Sequence, residues 1–216
     1  MNPRDDIIQL KVPNDAGSIE CLNVHRGVLC KSSGFFQKAM KPEWTKLGEE
    51  KTVDLPDDLA STVSDYIVWL YQGSIAIKPF LPSTEPIEER ARKAEKVYLL
   101  LAEAYVFGQK ILDSGYKNAV VKAIFSAQMF SGWNMGPNCV TTIYEGTPPE
   151  SPARRLFADK LAHSAYDDSA NGFGWMQCID GYPQEALTDA MKALLRVRKA
   201  VGRAPVITSY LEKEQD

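Results

Sequence analysis

Cys21, His25 and Cys30 lie close together in the chain, and two thiols with an imidazole are the raw material of a zinc site. A structural zinc takes four ligands in a tetrahedron, usually as Cys-x(2–4)-Cys with His-x(3–5)-His. No fourth ligand accompanies this trio. It reads instead as a strand cysteine, a helix-start histidine bonded to backbone, and a buried thiol that packs as a small hydrophobe. No metal is expected. A Cys or Ser nucleophile needs a base within hydrogen-bond reach and an acid to orient that base. The two histidines are His25 and His163. His163 stands in Leu161-Ala162-His163-Ser164, with no Gly-x-Ser-x-Gly elbow in the chain. It reads as a surface or half-buried helix histidine. No set of residues meets the geometric requirements of an active site, so no catalytic residue, no cofactor and no enzyme activity are expected. Gly172-Phe173-Gly174 is a lone Gly-x-Gly with no strand leading into it, a turn rather than a phosphate loop. Arg154-Arg155 and Arg196-Val197-Arg198-Lys199 with Arg203 are basic clusters. They could contact phosphates or complement carbonyls at the end of the last helix. Twenty-five basic against 28 acidic residues leave a net charge of −3, which argues against a nucleic-acid partner.

The elements that would carry these residues follow from periodicity. With 216 residues, 44% hydrophobic and 25% charged, the chain suffices for one large domain, or one domain with an extension. Ile8, Leu10 and Val12 alternate with Gln9 and Lys11 and predict a strand. The turn cluster Pro13-Asn14-Asp15-Ala16-Gly17 leads to a return strand carrying Ile19, Leu22 and Val24, so a hairpin is expected. Two short helices over about 26–31 and 33–40 follow, then a short strand at Thr52-Val53-Asp54-Leu55. Asp57 or Asp58 would cap the next helix, whose one face holds Leu59, Val63, Tyr66, Ile67 and Leu70. Gly73 would close it in a left-handed conformation. Three prolines make 76–86 a loop, and a helix over roughly 87–107 follows. Its first turns pair Glu88 with Arg92 and Glu89 with Lys93 at i,i+4.

A further helix carries Tyr116, Val120, Ile124 and Ala127. Residues 131–150, rich in Gly, Pro, Asn and Thr, read as a linker of loop or weak strand. Ser151-Pro152 begins a helix with Leu156, Phe157 and Leu161 inward. A last amphipathic helix runs from Pro183 to about Gly202, with Leu187, Met191, Leu194 and Val201 inward. The acidic N-terminus and the absence of about 18 consecutive apolar residues predict neither a signal peptide nor a membrane span. Four scattered cysteines without a Cys-x-x-Cys pair predict reduced thiols and an intracellular setting, cytoplasm or nucleus.

Several of these stretches together resemble the BTB/POZ family. They are His25-Arg26 with Leu29, Ser33 with Phe35-Phe36, Val53-Asp54-Leu55-Pro56, the helix ending Leu70-Tyr71-Gln72-Gly73, and Leu101-Ala102-Glu103-Ala104-Tyr105. Ser151-Pro152-Ala153-Arg154-Arg155-Leu156 and the start Tyr182-Pro183-Gln184-Glu185-Ala186-Leu187 are similar to a group of fungal BTB proteins. The resemblance implies an α+β fold, a small mixed sheet flanked by helices, with a helical C-terminal extension. Its boundaries would be a BTB/POZ-like domain over 7–130 with an insertion at about 76–97, a linker over 131–150, the extension over 151–204, and a flexible tail over 205–216.

The function implied is non-enzymatic protein–protein interaction. One alternative is an adaptor that recruits a cullin-type ubiquitin ligase. A second is a transcription-associated regulator with weak nucleic-acid contact. Cullin-recruiting relatives carry a hydrophobic residue, any residue, then an acid before the later helices, and Ile87-x-Glu89 has that form. The adaptor reading places the partner near 35–40 and 66–89, with Phe36, Met40, Ile87 and Glu89 as contacts. A homodimer is a further implied partner, although the swapped helix that precedes the first strand in many dimeric relatives has no counterpart before Ile7. Many relatives also carry an acid beside the histidine, where Ile7 stands here and Asp6 is one position off.

Overall fold

The computed structural model describes residues 5–41, 52–78, 84–166 and 174–198. The chain opens with a hairpin of β1 (Ile7–Pro13) and β2 (Ile19–His25), antiparallel, with Ile7 opposite His25. The third strand, β3 (Thr52–Asp54), pairs parallel to β1, giving the mixed order β2-β1-β3. Alternation does what it should: Ile8, Leu10 and Val12 are all 0% exposed.

Nine α-helices are described, α1 (Arg26–Leu29), α2 (Gly34–Ala39), α3 (Ala60–Gln72), α4 (Ile87–Lys110), α5 (Ser114–Ser131), α6 (Pro137–Gly146), α7 (Pro152–Ser164), α8 (Trp175–Cys178) and α9 (Gln184–Val197), with a 3-10 turn at Ile179–Gly181. The class is α+β. His25 stands at the strand-to-helix junction as the N-cap of α1. Leu29 and Leu101 are buried in one core, with Phe35, Ile67 and Leu70 packed against it. Each fully buried side chain of this size contributes about 1.5–3 kcal/mol. Buried residues from Ile8 to Ala186 form one contiguous cluster.

Side-chain caps set several boundaries. Ser33 accepts from the Phe36 N–H at 3.2 Å, and Asp113 from the Tyr116 N–H at 2.9 Å. Ser151 accepts from the Arg154 N–H at the start of α7. Gly73 closes α3 at φ 71°, as expected. Asp113, wholly buried, also accepts from Ser32 Oγ at 2.6 Å and Tyr66 Oη at 2.9 Å, tying the α1–α2 turn, α3 and α5 together. The Asp5 carboxylate accepts from the Gly27 N–H in the first turn of α1.

Other expectations are corrected. Leu59, not Asp57 or Asp58, is the N-cap of α3, and no side chain caps it. Asp58 reaches instead to Lys110 at 2.7 Å, at the far end of α4. Glu89 pairs with Arg92 one turn on, and Lys93 with Glu85, so the i,i+4 pairs do not form. The segment 131–150 is no linker. It holds α6, which buries Cys139, Val140, Ile143 and Tyr144 and packs on α4. In α9 Leu187 and Leu194 pack inward half-buried, as expected, but the fully buried positions are Ala186, Ala190 and Ala193, and Met191 is 56% exposed. The reason is close approach: α9 lies on α7, where Ala158 and Ala162 meet Ala193, and a larger face would hold the helices apart. Val201 and the tail over 205–216 lie outside the described residues.

Candidate partner-binding cleft

The sequence proposed Phe36, Met40, Ile87 and Glu89 as partner contacts, and the structure separates them. Phe36 is 0% and Met40 6% exposed. Phe36 lies in the core between Phe35 and Tyr66, because Ser33 starts α2 in a register that turns position 36 inward. Neither residue is a contact in this state. Ile87, at the first turn of α4, is 37% exposed. Glu89 is engaged by Arg92, and that hydrogen bond, more than its charge, lowers the Glu89 pKa.

Ile87 stands at the mouth of a cleft of about 780 Å³. One wall is the first half of α4, with Ile87, Ala91 and Glu95. The opposite wall is the α5–α6 connection, with Trp133 and Met135, and Trp175 and Tyr182 complete it. Two tyrosines hold that connection. Tyr98 Oη donates to the Trp133 carbonyl at 2.6 Å, and Tyr182 Oη to the Met135 carbonyl at 2.8 Å. Burial pushes the pKa of both phenols up, so they stay neutral donors. Gly132, at φ 74°, ends α5 and lets the connection turn back over α4.

Glu95 lies over the start of α6, which no side chain of its own N-cap residue closes. Burial raises the Glu95 pKa, and the Asn138 and Cys139 N–H groups pull it partly back. Its Oε1 is buried and makes no hydrogen bond of ordinary geometry. The approach is close enough that a Cβ on Gly136 would overlap this carboxylate.

The lining sets aromatic and aliphatic side chains beside charged ones, Glu88, Arg90, Arg92 and Glu95, and holds one thiol, Cys178. Its size falls within that of ligand-binding clefts. A broader hollow of about 1160 Å³ between α7 and α9 is lined mainly by charged groups, including Glu150, Asp159, Lys192 and Arg196. The aromatic cleft is the better candidate, because buried aromatic anchors dominate interface energetics. Trp133 and Met135 were missed in the sequence because their segment was read as a linker.

The other candidate residues have structural partners. His25 Nδ1 lies 2.6 Å from Tyr71 Oη, which also accepts from the His25 backbone N–H at 3.0 Å. Cys30 Sγ donates to the Phe36 carbonyl, and Cys21 is exposed. Among the described residues no group of three acids, cysteines or histidines is arranged to hold a metal. His163 is exposed in the last turn of α7. Of the basic pair, Arg155 is exposed but Arg154 is 4% exposed, paired with Glu185 at 2.7 Å, and therefore withdrawn from any phosphate. Gly172, Phe173, Lys199 and Arg203 lie outside the described residues. No described helix is long and apolar enough to cross a membrane. Neither a family model nor a curated protein matches this chain.

Proposed function

We propose that this chain is a non-catalytic protein–protein interaction module of the BTB/POZ type. The observation that carries the reading is Ile87, an aliphatic side chain left 37% exposed at the mouth of an aromatic-walled cleft. The order hairpin, α1–α2, β3, α3 and then α4–α5 supports the family part of it. A partner would bury an apolar anchor between Ile87 and Trp133, rimmed by charges such as Glu88 and Arg92. Truncating an anchor typically costs at least about 2 kcal/mol of binding, against little for a rim contact. The test is affinity capture from cell extract with the unaltered chain and three variants as baits, each checked for native folding. Ile87→Asp and Trp133→Ala should lose the proteins that the unaltered chain retains, and Lys31→Ala, at an exposed residue outside the cleft lining, should keep them. Equal retention by all baits overturns the proposal.

The exposure of Ile87 also favours the adaptor reading, in which Ile87-x-Glu89 meets a cullin. Phe36 and Met40 take no part in it. Titration calorimetry against a cullin N-terminal region decides: Ile87→Ala with Glu89→Ala should weaken the heat seen with the unaltered chain. No heat with the unaltered chain at tens of micromolar removes the adaptor reading and leaves the interaction module standing.

A further inference from the structure

The even-numbered residues of β1 and β2 exchange the hydrogen bonds of the hairpin. Both ends of the ladder fix this phase. The Arg26 N–H donates to the Asp6 carbonyl at 2.8 Å, and the Asn14 N–H to the Ser18 carbonyl at 2.8 Å. Antiparallel pairs alternate between bonded and non-bonded, and the register sets Ile7 opposite His25. Ile19, Cys21, Asn23 and His25 therefore turn their N–H and C=O groups away from β1. Pro13, opposite Ile19, sits at a non-bonded position, as a residue without an N–H must.

β2 is an outer strand of the sheet. Its last outward N–H, on His25, is taken by Tyr71 Oη. Ile19, Cys21 and Asn23 remain, all exposed, with three donors and three acceptors that no described residue satisfies. Edge strands are ordinarily protected by lysine, proline or a bulge. The stretch Ile19–His25 contains no lysine or proline, and its register with β1 is unbroken.

We propose that a second copy of this chain pairs with this edge, antiparallel, about a two-fold axis at Cys21. The proposal holds whether or not the chain is of the BTB/POZ kind. The three available residues are symmetric about Cys21, so the register uses all six groups. Cys21 meets its own counterpart, and Ile19 meets Asn23 in both directions. Centring on Leu22 would set Ile19 against His25, whose N–H Tyr71 already holds. Centring on Glu20 would oppose two like charges and carry Asn23 past the end of the other strand. The Tyr71–His25 contact thus selects the register.

The register is what the experiment reads. Bonded antiparallel residues have Cα atoms about 5.5 Å apart, within the span of a disulfide. Sedimentation equilibrium of the full chain in reducing buffer should show a dimer. Diamide, which accepts two electrons and two protons from a thiol pair, should then link Cys21 to Cys21. Cys21→Ser should remove the link and keep the dimer. Cys21→Lys and, separately, Asn23→Lys should each weaken dimerisation at least ten-fold with an unchanged circular dichroism spectrum. If one lysine variant misfolds, the other decides. A monomer at all concentrations, a link through Cys30, Cys139 or Cys178 instead of Cys21, or a folded lysine variant that still dimerises as well overturns the proposal.

Discussion

Arg154→Met should destabilise the fold far more than Glu185→Gln, although the two residues form one ion pair. Arg154 is 4% exposed, whereas the Glu185 side chain is 56% exposed. Glu185 is only one of four acceptors. Arg154 Nε donates to Thr147 Oγ1 at 3.1 Å, and Nη2 donates to the carbonyls of Tyr144 and Thr147. The guanidinium also lies 4.4 Å from the centre of the Tyr144 ring. Those carbonyls are at the C-terminal end of α6, where helix carbonyls lack intrahelical partners and favour a cation. Methionine fills similar space but leaves both carbonyls buried and unpaired, at about 1–3 kcal/mol each. With the lost ring contact, the sum is about 3–5 kcal/mol. Replacing a buried ion pair with apolar groups is sometimes neutral, but backbone carbonyls stay after any substitution. Glu185→Gln keeps an acceptor oxygen at a site more than half exposed, so its cost is under about 1 kcal/mol. Thermal unfolding followed by circular dichroism separates the two. At about 2–4 °C per kcal/mol for a chain of this size, Arg154→Met should lower Tm by about 10 °C and Glu185→Gln by about 4 °C or less. Equal losses, or a loss below about 2 °C for Arg154→Met, would refute the reasoning.

Two further outcomes test how α6 is seated. A Cβ on Gly146 would overlap both methyl carbons of Val106, a stiff β-branched residue of α4. Gly146→Ala should therefore cost about 1–3 kcal/mol in urea unfolding, and Val106→Ala should relieve most of it in the double variant; additive losses would show that the two do not touch. Burial holds the folded-state pKa of Glu95 above its ordinary 4.5, so the folded chain binds this proton more tightly than the unfolded chain. That contribution to stability is complete below 4.5 and is lost as pH rises through the raised value. Stability of Glu95→Gln should change less between acid and neutral pH than that of the unaltered chain, and superimposable profiles would refute the burial of this carboxylate.

Much of the fold was legible because short-range rules set it. The alternation of Ile8, Leu10 and Val12 marks a strand with one buried face, and all three are buried. Ser33 and Ser151 mark helix starts because a hydroxyl satisfies an N–H group two or three residues on, and Gly73 marks a stop because only glycine adopts its φ cheaply. Of the candidate contacts, Ile87 was legible as a helix-start residue, and α4 begins there.

What the residues alone did not decide depends on neighbours distant in the chain. The helix over Pro137–Gly146 has a poor composition for its type and exists where its apolar face meets α4. The fully buried positions of α9 are set by how closely α7 approaches, which favours alanine there, while Leu187 and Leu194 pack half-buried beside them. Phe36 is core and Ile87 is surface, though both are apolar residues in the first turn of a helix, because only the packed arrangement says which face has a partner. Arg154 appears in the chain as half of a basic pair. Its role as the cap of α6 follows from the fold, since a guanidinium leaves water only where oppositely polarised groups have already been gathered.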